Sequence, residues 1–279
     1  MDRSTRQEFS RLTGGKDQDV DLFGAAMVIA RLRGEPVDPH AVARELDLIA
    51  EDVQRLAGPR SNPDELAHAI DHELFAVRGF HGNIEEYGDP ENSYIDRVVE
   101  RRTGIPITLS LVYMEIAQRV GLRCDGIGYP GHFLVRCGDP EEPIYVDPFN
   151  QGVRLDRQEL LARLRGLHLG GAEPSSFLAA VTRRQILQRM LNNLHAIFRQ
   201  RRDLQRWLTV IDLQLVIEPW NAQLVGERGM LHYRLGSPSE ALSDLERYVG
   251  ASGRRAVSSG ALRLLDELRL RYGGAEEKS

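Results

Sequence analysis

The chain is poor in cysteine and in lysine. Its 279 residues hold two cysteines, Cys124 and Cys137, and only Lys16 and Lys278 among 36 basic side chains. Two cysteines are too few for a disulfide framework or a cysteine-rich zinc site, so both are expected as separate buried thiols, and no metal centre is expected. No run approaches the roughly 18 apolar residues of a membrane-spanning helix. The opening stretch MDRSTRQEFSRLTGGKDQD lacks the apolar core of a signal peptide, which points to the cytoplasm and away from a membrane partner. No GxGxxG or GxxxxGK[ST] run is present to cradle phosphates, and no cofactor is expected. Arginine is abundant, yet it runs through the acidic first 180 residues as well as the net-basic remainder. A bias in composition explains that better than a phosphate-binding surface does, so nucleic acid is not an expected partner.

What is present is a globular composition, 42% hydrophobic and 28% charged, with helices first. FGAAMVIARLRG (23–34) is an apolar helix ending at glycine. DPHAVARELDLIAEDVQRLAG (38–58) has an Asp cap, a proline in its first turn and a stripe of Val42, Leu46, Ile49 and Val53. SNPDELAHAIDHELFAVRG (61–79) repeats that plan. A glycine- and proline-marked loop, FHGNIEEYGDPENS (80–93), precedes a helix over 94–104 closed by Gly104. Residues 106–120 are apolar on more than one face, which requires a largely buried helix, begun by Pro106 and stopped by Gly121. The period then changes from 3.6 to 2: RCDGIGY, HFLVRC and PIYVDP read as three short strands. RLDRQELLARLRGL (154–167) reads as another helix, and HLGGAEPSS (168–176) as a linker. The expected class is α+β, a helical cluster on a small antiparallel sheet over residues 1–170.

Residues 177–279 are all helical in pattern, with helices near 177–200, 203–217, 220–235, 238–250 and 255–272. A period of about 34 residues in register with Pro219 puts Gly229, Ala241 and Leu245 where a tetratricopeptide repeat keeps small and apolar contact residues. Trp207 occupies the corresponding small position of the weaker preceding unit, and the last helix caps the stack. Such a region is expected to bind a protein or peptide partner.

The chemistry-bearing residues gather around GYPGHFLVRC and IYVDPFN. A Cys/His/Asp site needs a thiol at a helix N-terminus, a histidine within reach and a carboxylate to fix the imidazole tautomer. His132 at the start of one strand and Asp147 at the end of the next would lie side by side. No thiol stands at the start of the 106–120 helix, where Pro106, Ile107 and Thr108 are found. Cys124 opens a strand after that helix, and Cys137 lies five residues past His132. Hydroxyl substitutes are Thr108 and Ser110, although Ser110 faces inward and can bond to the carbonyl four residues earlier. His81, Asn83, Arg101 and Arg102 are candidates to line the same cleft, the arginines as partners of Asp147 or of a ligand carboxylate.

The runs NSYIDRVVERRTGIPITLSLVYMEIAQRVGL, GIGYPGHFLVRC and YVDPFNQG, with FHGNIEEYGDP before them, resemble the transglutaminase-like core of bacterial SirB-family proteins. The resemblance implies a papain-like fold joined to C-terminal tetratricopeptide-like helices. It matches His132 and Asp147 to the family's triad, and the buried helix to the one that carries the nucleophile in catalytic relatives. With that cysteine missing, the expected function is a non-catalytic adaptor of protein-binding or regulatory kind. The alternative is an amide-bond hydrolase or transferase using Ser110 or Thr108 with His132 and Asp147.

Overall fold

The computed structural model describes residues 3–167 and 170–272. The start of the expected linker, His168 and Leu169, lies outside the described residues, as do Met1, Asp2 and 273–279. Contacts group Leu12–Met190 into one compact unit, and the described residues of Met1–Arg11 and Leu191–Ser279 into another.

In the first unit the helices form where their caps place them. α1 (Arg3–Thr13) reaches into it, and α2 (Leu22–Ala30) is capped by Asp21, whose carboxylate accepts from Gly24 N. α3 (Pro39–Ala57) starts at Asp38, which accepts from His40 N and Ala41 N, and buries Val42, Leu46, Ile49 and Val53. α4 (Pro63–Asp71) begins with a reciprocal Asn62–Glu65 box and runs on as one π-helical stretch, His72–Val77. A two-residue strand β1 (His81–Gly82) follows, then α5 (Ile95–Arg101) and β2 (Thr103–Gly104), which pairs in parallel with β1. α5 is closed by Arg102, in the left-handed region at φ 58°, and not by Gly104. Gly104 is needed for space, because a Cβ there would lie 2.9 Å from Thr108 Oγ1.

α6 (Pro106–Arg119) is the central helix, with eleven of its residues buried, and Gly121 at φ 77° ends it. Beside it lies a sheet in the order β3 (Cys124–Ile127), β4 (Leu134–Gly138), β5 (Pro143–Asp147) and β6 (Val153–Leu155), all antiparallel. β6 was hidden in the apparent start of the next helix. Asp156 caps that helix, α7 (Arg157–Arg165), and frees residues 153–155 to pair with β5.

The thiol expectation is corrected by strand register. Cys124 stands directly opposite Cys137, their Cα atoms 4.2 Å apart, and the two are joined as a disulfide. Gly138 N donates to Arg123 O beside them, so the cysteines form a non-hydrogen-bonded pair, the close one of an antiparallel ladder.

The second unit takes, from Leu191 on, the rest of α8 (Arg183–Arg201), then α9 (Leu204–Ile217), α10 (Ala222–Arg234), α11 (Pro238–Ser252) and α12 (Ser259–Tyr272). α8 starts later than expected, because residues 174–178 form a separate 3₁₀ turn. α10 and α11 pack closely at Gly229, where a Cβ would lie 3.1 Å from both Asp244 Cβ and Leu245 Cγ. Ala241 and Leu245 are fully buried. The repeat register read from Pro219 therefore describes real helix–helix contacts.

Candidate functional site

Tyr129-Pro130-Gly131-His132 is a β-turn: His132 N donates to Tyr129 O at 2.9 Å, with Pro130 second and Gly131 third at φ 71°. Proline followed by a positive-φ glycine is the type II arrangement. The turn delivers His132 two residues ahead of β4 rather than at its first position. Asp147 ends β5, one residue beyond the Val135–Val146 pair, and so meets the imidazole. His132 Nε2 and Asp147 Oδ2 are 2.8 Å apart.

The carboxylate is held from both sides. Asn150 Nδ2 donates to Oδ2 at 2.8 Å, and Asn150 N donates to Oδ1 at 3.2 Å. Burial pushes the Asp147 carboxyl up, but hydrogen bonds from His132 and Asn150 outweigh it and hold the group below the usual carboxylate range. In the tautomer that donates Nε2–H to Asp147 the ring lone pair is on Nδ1, which has no hydrogen-bond partner among the described residues. The histidine side chain is 23% exposed and the aspartate 7%. Phe149 stands edge-on to His132 with ring centroids 5.9 Å apart, and Tyr87 meets Phe149 edge-on at 6.2 Å. Gly82 makes room for Phe149, since a Cβ there would lie 2.5 Å from the ring.

The hydroxyl candidates are engaged elsewhere. Thr108 is fully buried; its hydroxyl donates to Asn92 O at 2.7 Å and accepts from Ile105 N at 3.2 Å, closing the start of α6. Ser110 is also fully buried and faces Phe133 O at 3.5 Å, a long contact across to the sheet instead of back along its own helix. Among the described residues neither hydroxyl is hydrogen-bonded to His132.

The other sequence candidates shape the surroundings. His81 Nδ1 lies 2.9 Å from Gly79 O, and its Nε2 lies 3.3 Å from Thr103 Oγ1. Asn83 donates to Asn92 Oδ1 at 3.1 Å and accepts from Glu86 N at 2.9 Å, while buried Asn92 donates to Glu86 O. Together they fold the loop that presents Tyr87. Arg101 pairs with Asp89 at 2.9 Å, and Arg102 donates to Arg78 O at 2.8 Å. Asp147 draws its partners from His132 and Asn150 instead of from these arginines.

Three residues at the site were not singled out from the sequence. Asn150 carries a signal, because an Asp followed three residues later by Asn after Pro is a capping pattern. Phe149 sits in the quoted DPFNQG run. Arg189, which donates from Nη2 to His132 O at 2.8 Å, comes from a helix 57 residues away, and no spacing rule finds it. Among the described residues no group of three or more His, Cys, Asp or Glu is placed to hold a metal ion.

The geometry is that of a histidine–carboxylate pair behind a buried helix. The transglutaminase-like superfamily model matches residues 40–192, over half of the chain. The chain belongs to that superfamily. A tetratricopeptide repeat model matches residues 194–266. Among relatives of this superfamily member, a UPF0162 protein of Xylella fastidiosa is 35% identical over 242 residues, covering 84% of each chain. A UPF0162 protein of Pseudomonas aeruginosa is 32% identical, covering 81% of this chain and 83% of that one. Human F-box only protein 21 is 31% identical over 183 residues, covering 62% of this chain and 28% of the human protein. No helix among the described residues is long and apolar enough to cross a membrane.

Proposed function

We propose that this protein is a non-catalytic, cytoplasmic member of the superfamily that acts as a protein- or peptide-binding adaptor, with its repeat helices as the main contact surface. The SirB kinship suggested by GIPITLSLVY and YPGHFLVR belongs to the same proposal. One observation carries the reading: the first turn of α6 offers Pro106, Ile107 and Thr108 where a thiol would be sharpened by the helix dipole. Both cysteines of the chain are tied to each other on β3 and β4, the Thr108 hydroxyl is spent on Asn92 O, and the Ser110 hydroxyl faces Phe133 O. An alcohol has almost no alkoxide at neutral pH and depends on direct contact with its base.

The repeat unit supports binding by its shape. A cavity of about 400 Å³ is lined by Arg199, Gln223, Glu227, Arg234 and Tyr248, among others. The test has two parts. Full-length protein treated with a fluorophosphonate should show no adduct by intact mass; labelling lost in both Ser110→Ala and His132→Ala would establish the hydrolase alternative. In partner capture from its native lysate, Gln223→Arg with Arg234→Glu should abolish recovery while His132→Ala preserves it. Capture that depended on His132 alone would refute the adaptor reading.

A further inference from the structure

Arg189 is a half-buried cation with no acidic partner among the described residues. Other shielded arginines are neutralised: Arg33 by Asp96, Arg78 by Asp52, Arg119 by Glu115 and Arg228 by Asp244. Removing a guanidinium from water without a counter-charge is costly, so its placement needs a reason. The fold fixes Arg189 firmly. Nη2 donates to His132 O, and the guanidinium carbon stands 5.1 Å over the Phe133 ring. Gly128 leaves room for it, since a Cβ there would lie 3.3 Å from Nη1. A side chain held by one carbonyl, with four N–H groups to spare, is pre-organised for an acceptor.

The acceptor's chemistry follows from the neighbours. Among the described residues Tyr87 is the ionisable group whose charge acts on Arg189, and the guanidinium is the cation held at this place by His132 O and the Phe133 ring. One planar guanidinium matches one carboxylate; a dianionic phosphate calls for more positive charge. Asp147 takes its hydrogen bonds from His132 and Asn150 and is not ion-paired with Arg189. Half-exposed Tyr87 and the edge of Phe149 offer apolar contact on the His132 side. We propose that Arg189, with Tyr87 and Phe149, forms a carboxylate-binding site beside His132 that takes the carboxylate of a peptide. The inference goes beyond the adaptor reading and does not depend on the repeats.

The test uses full-length protein labelled with 15N-arginine and three dipeptide probes: N-acetyl-Ala-Phe with a free C-terminus, N-acetyl-Glu-Phe amide and N-acetyl-Ala-Phe amide. The Arg189 Nε–H resonance is assigned by its disappearance in Arg189→Lys. A saturable shift is expected with one or both acidic probes, and which of them binds tells a terminal from a side-chain carboxylate. The neutral amide should leave the resonance unmoved. Arg189→Gln, shown folded by circular dichroism, should weaken the acidic probe by about tenfold or more in ligand-observed saturation transfer. Equal shifts from the neutral amide, stronger shifts from inorganic phosphate, or unchanged binding in Arg189→Gln would each overturn the proposal.

Discussion

Each unit holds a histidine beside a carboxylate, and the two pairs are built for different ends. In the transglutaminase-like unit His132 uses one ring nitrogen, on Asp147, and its side chain is partly exposed. In the repeat unit His195 uses both: Nδ1 lies 2.9 Å from Gln214 Oε1, and Nε2 lies 3.1 Å from Glu227 Oε1 with Trp207 Nε1 at 3.2 Å. Gln214 in turn donates to Asn192 Oδ1 at 2.7 Å. A ring with both nitrogens engaged can lock helices together but has nothing left to offer a substrate. A histidine–carboxylate contact is therefore not by itself a site; the uncommitted nitrogen makes the difference.

The comparison can be broken at its strongest point first. Arg228 joins α10 to its neighbours, donating twice to Asp244 at 2.7 Å and once to Asp212 at 3.0 Å. Arg228→Ala leaves nearly buried Asp244 with only the longer contacts of Arg247 at 3.6 Å and His232 at 3.9 Å, and should cost about 3 kcal/mol in urea unfolding. A loss below 1 kcal/mol would mean that this network behaves like a surface ion pair.

His195→Ala should be the next most damaging, at about 2–3 kcal/mol, because it leaves the carbonyl of buried Gln214 without its donor in the interior. His132→Ala should cost only about 1 kcal/mol, since the partly exposed ring can be replaced by water. Equal losses from the two substitutions would erase the distinction between a structural and an available histidine.

The pH dependences sharpen the contrast further. Burial lowers the His195 pKa, but Glu227 and Gln214 more than offset it and raise the group above its ordinary 6.5. Its contribution is fully present below the unfolded value and disappears as pH rises through the folded one. The Tm advantage of the native chain over His195→Gln should thus shrink between pH 6 and pH 9. For Asp147 the folded pKa is depressed, so its contribution is present above 3.8 and is lost as pH falls through the folded value. A His132→Ala variant should show its deficit at neutral pH and lose it in acid.

Asp71 supplies a dependence of the opposite sign. Burial lifts its carboxyl to about 6 against the pull of Arg154, which pairs with it at 2.7 Å. The fold prefers the protonated form, so stability should fall as pH rises from 3.8 to about 6 and then level off. Asp71→Asn should flatten that slope in thermal melts; an unchanged slope would assign it to other groups.

Much of the frame was legible in the sequence. Asp38 and Asn62 are local capping residues, and a cap acts within a few residues of itself, so these helix starts could be read from short windows. β6 escaped because three residues carry too little periodicity to stand against an adjoining helical pattern. The π-helical stretch at 72–77 escaped for a related reason, since its side-chain pattern differs little from that of an α-helix.

The sequence by itself determined that a buried helix precedes a small sheet, that His132 lies at the approach to one strand and Asp147 at the end of the next, and that no thiol occupies the start of α6. Those facts rest on order along the chain and on periods of two and 3.6. Tertiary structure alone decided that Cys124 faces Cys137, that Ser110 turns to Phe133 O, and that Arg189 reaches His132. Each of these depends on strand register or on a helix packed from far along the chain, where an error of one residue sends the side chain to another face.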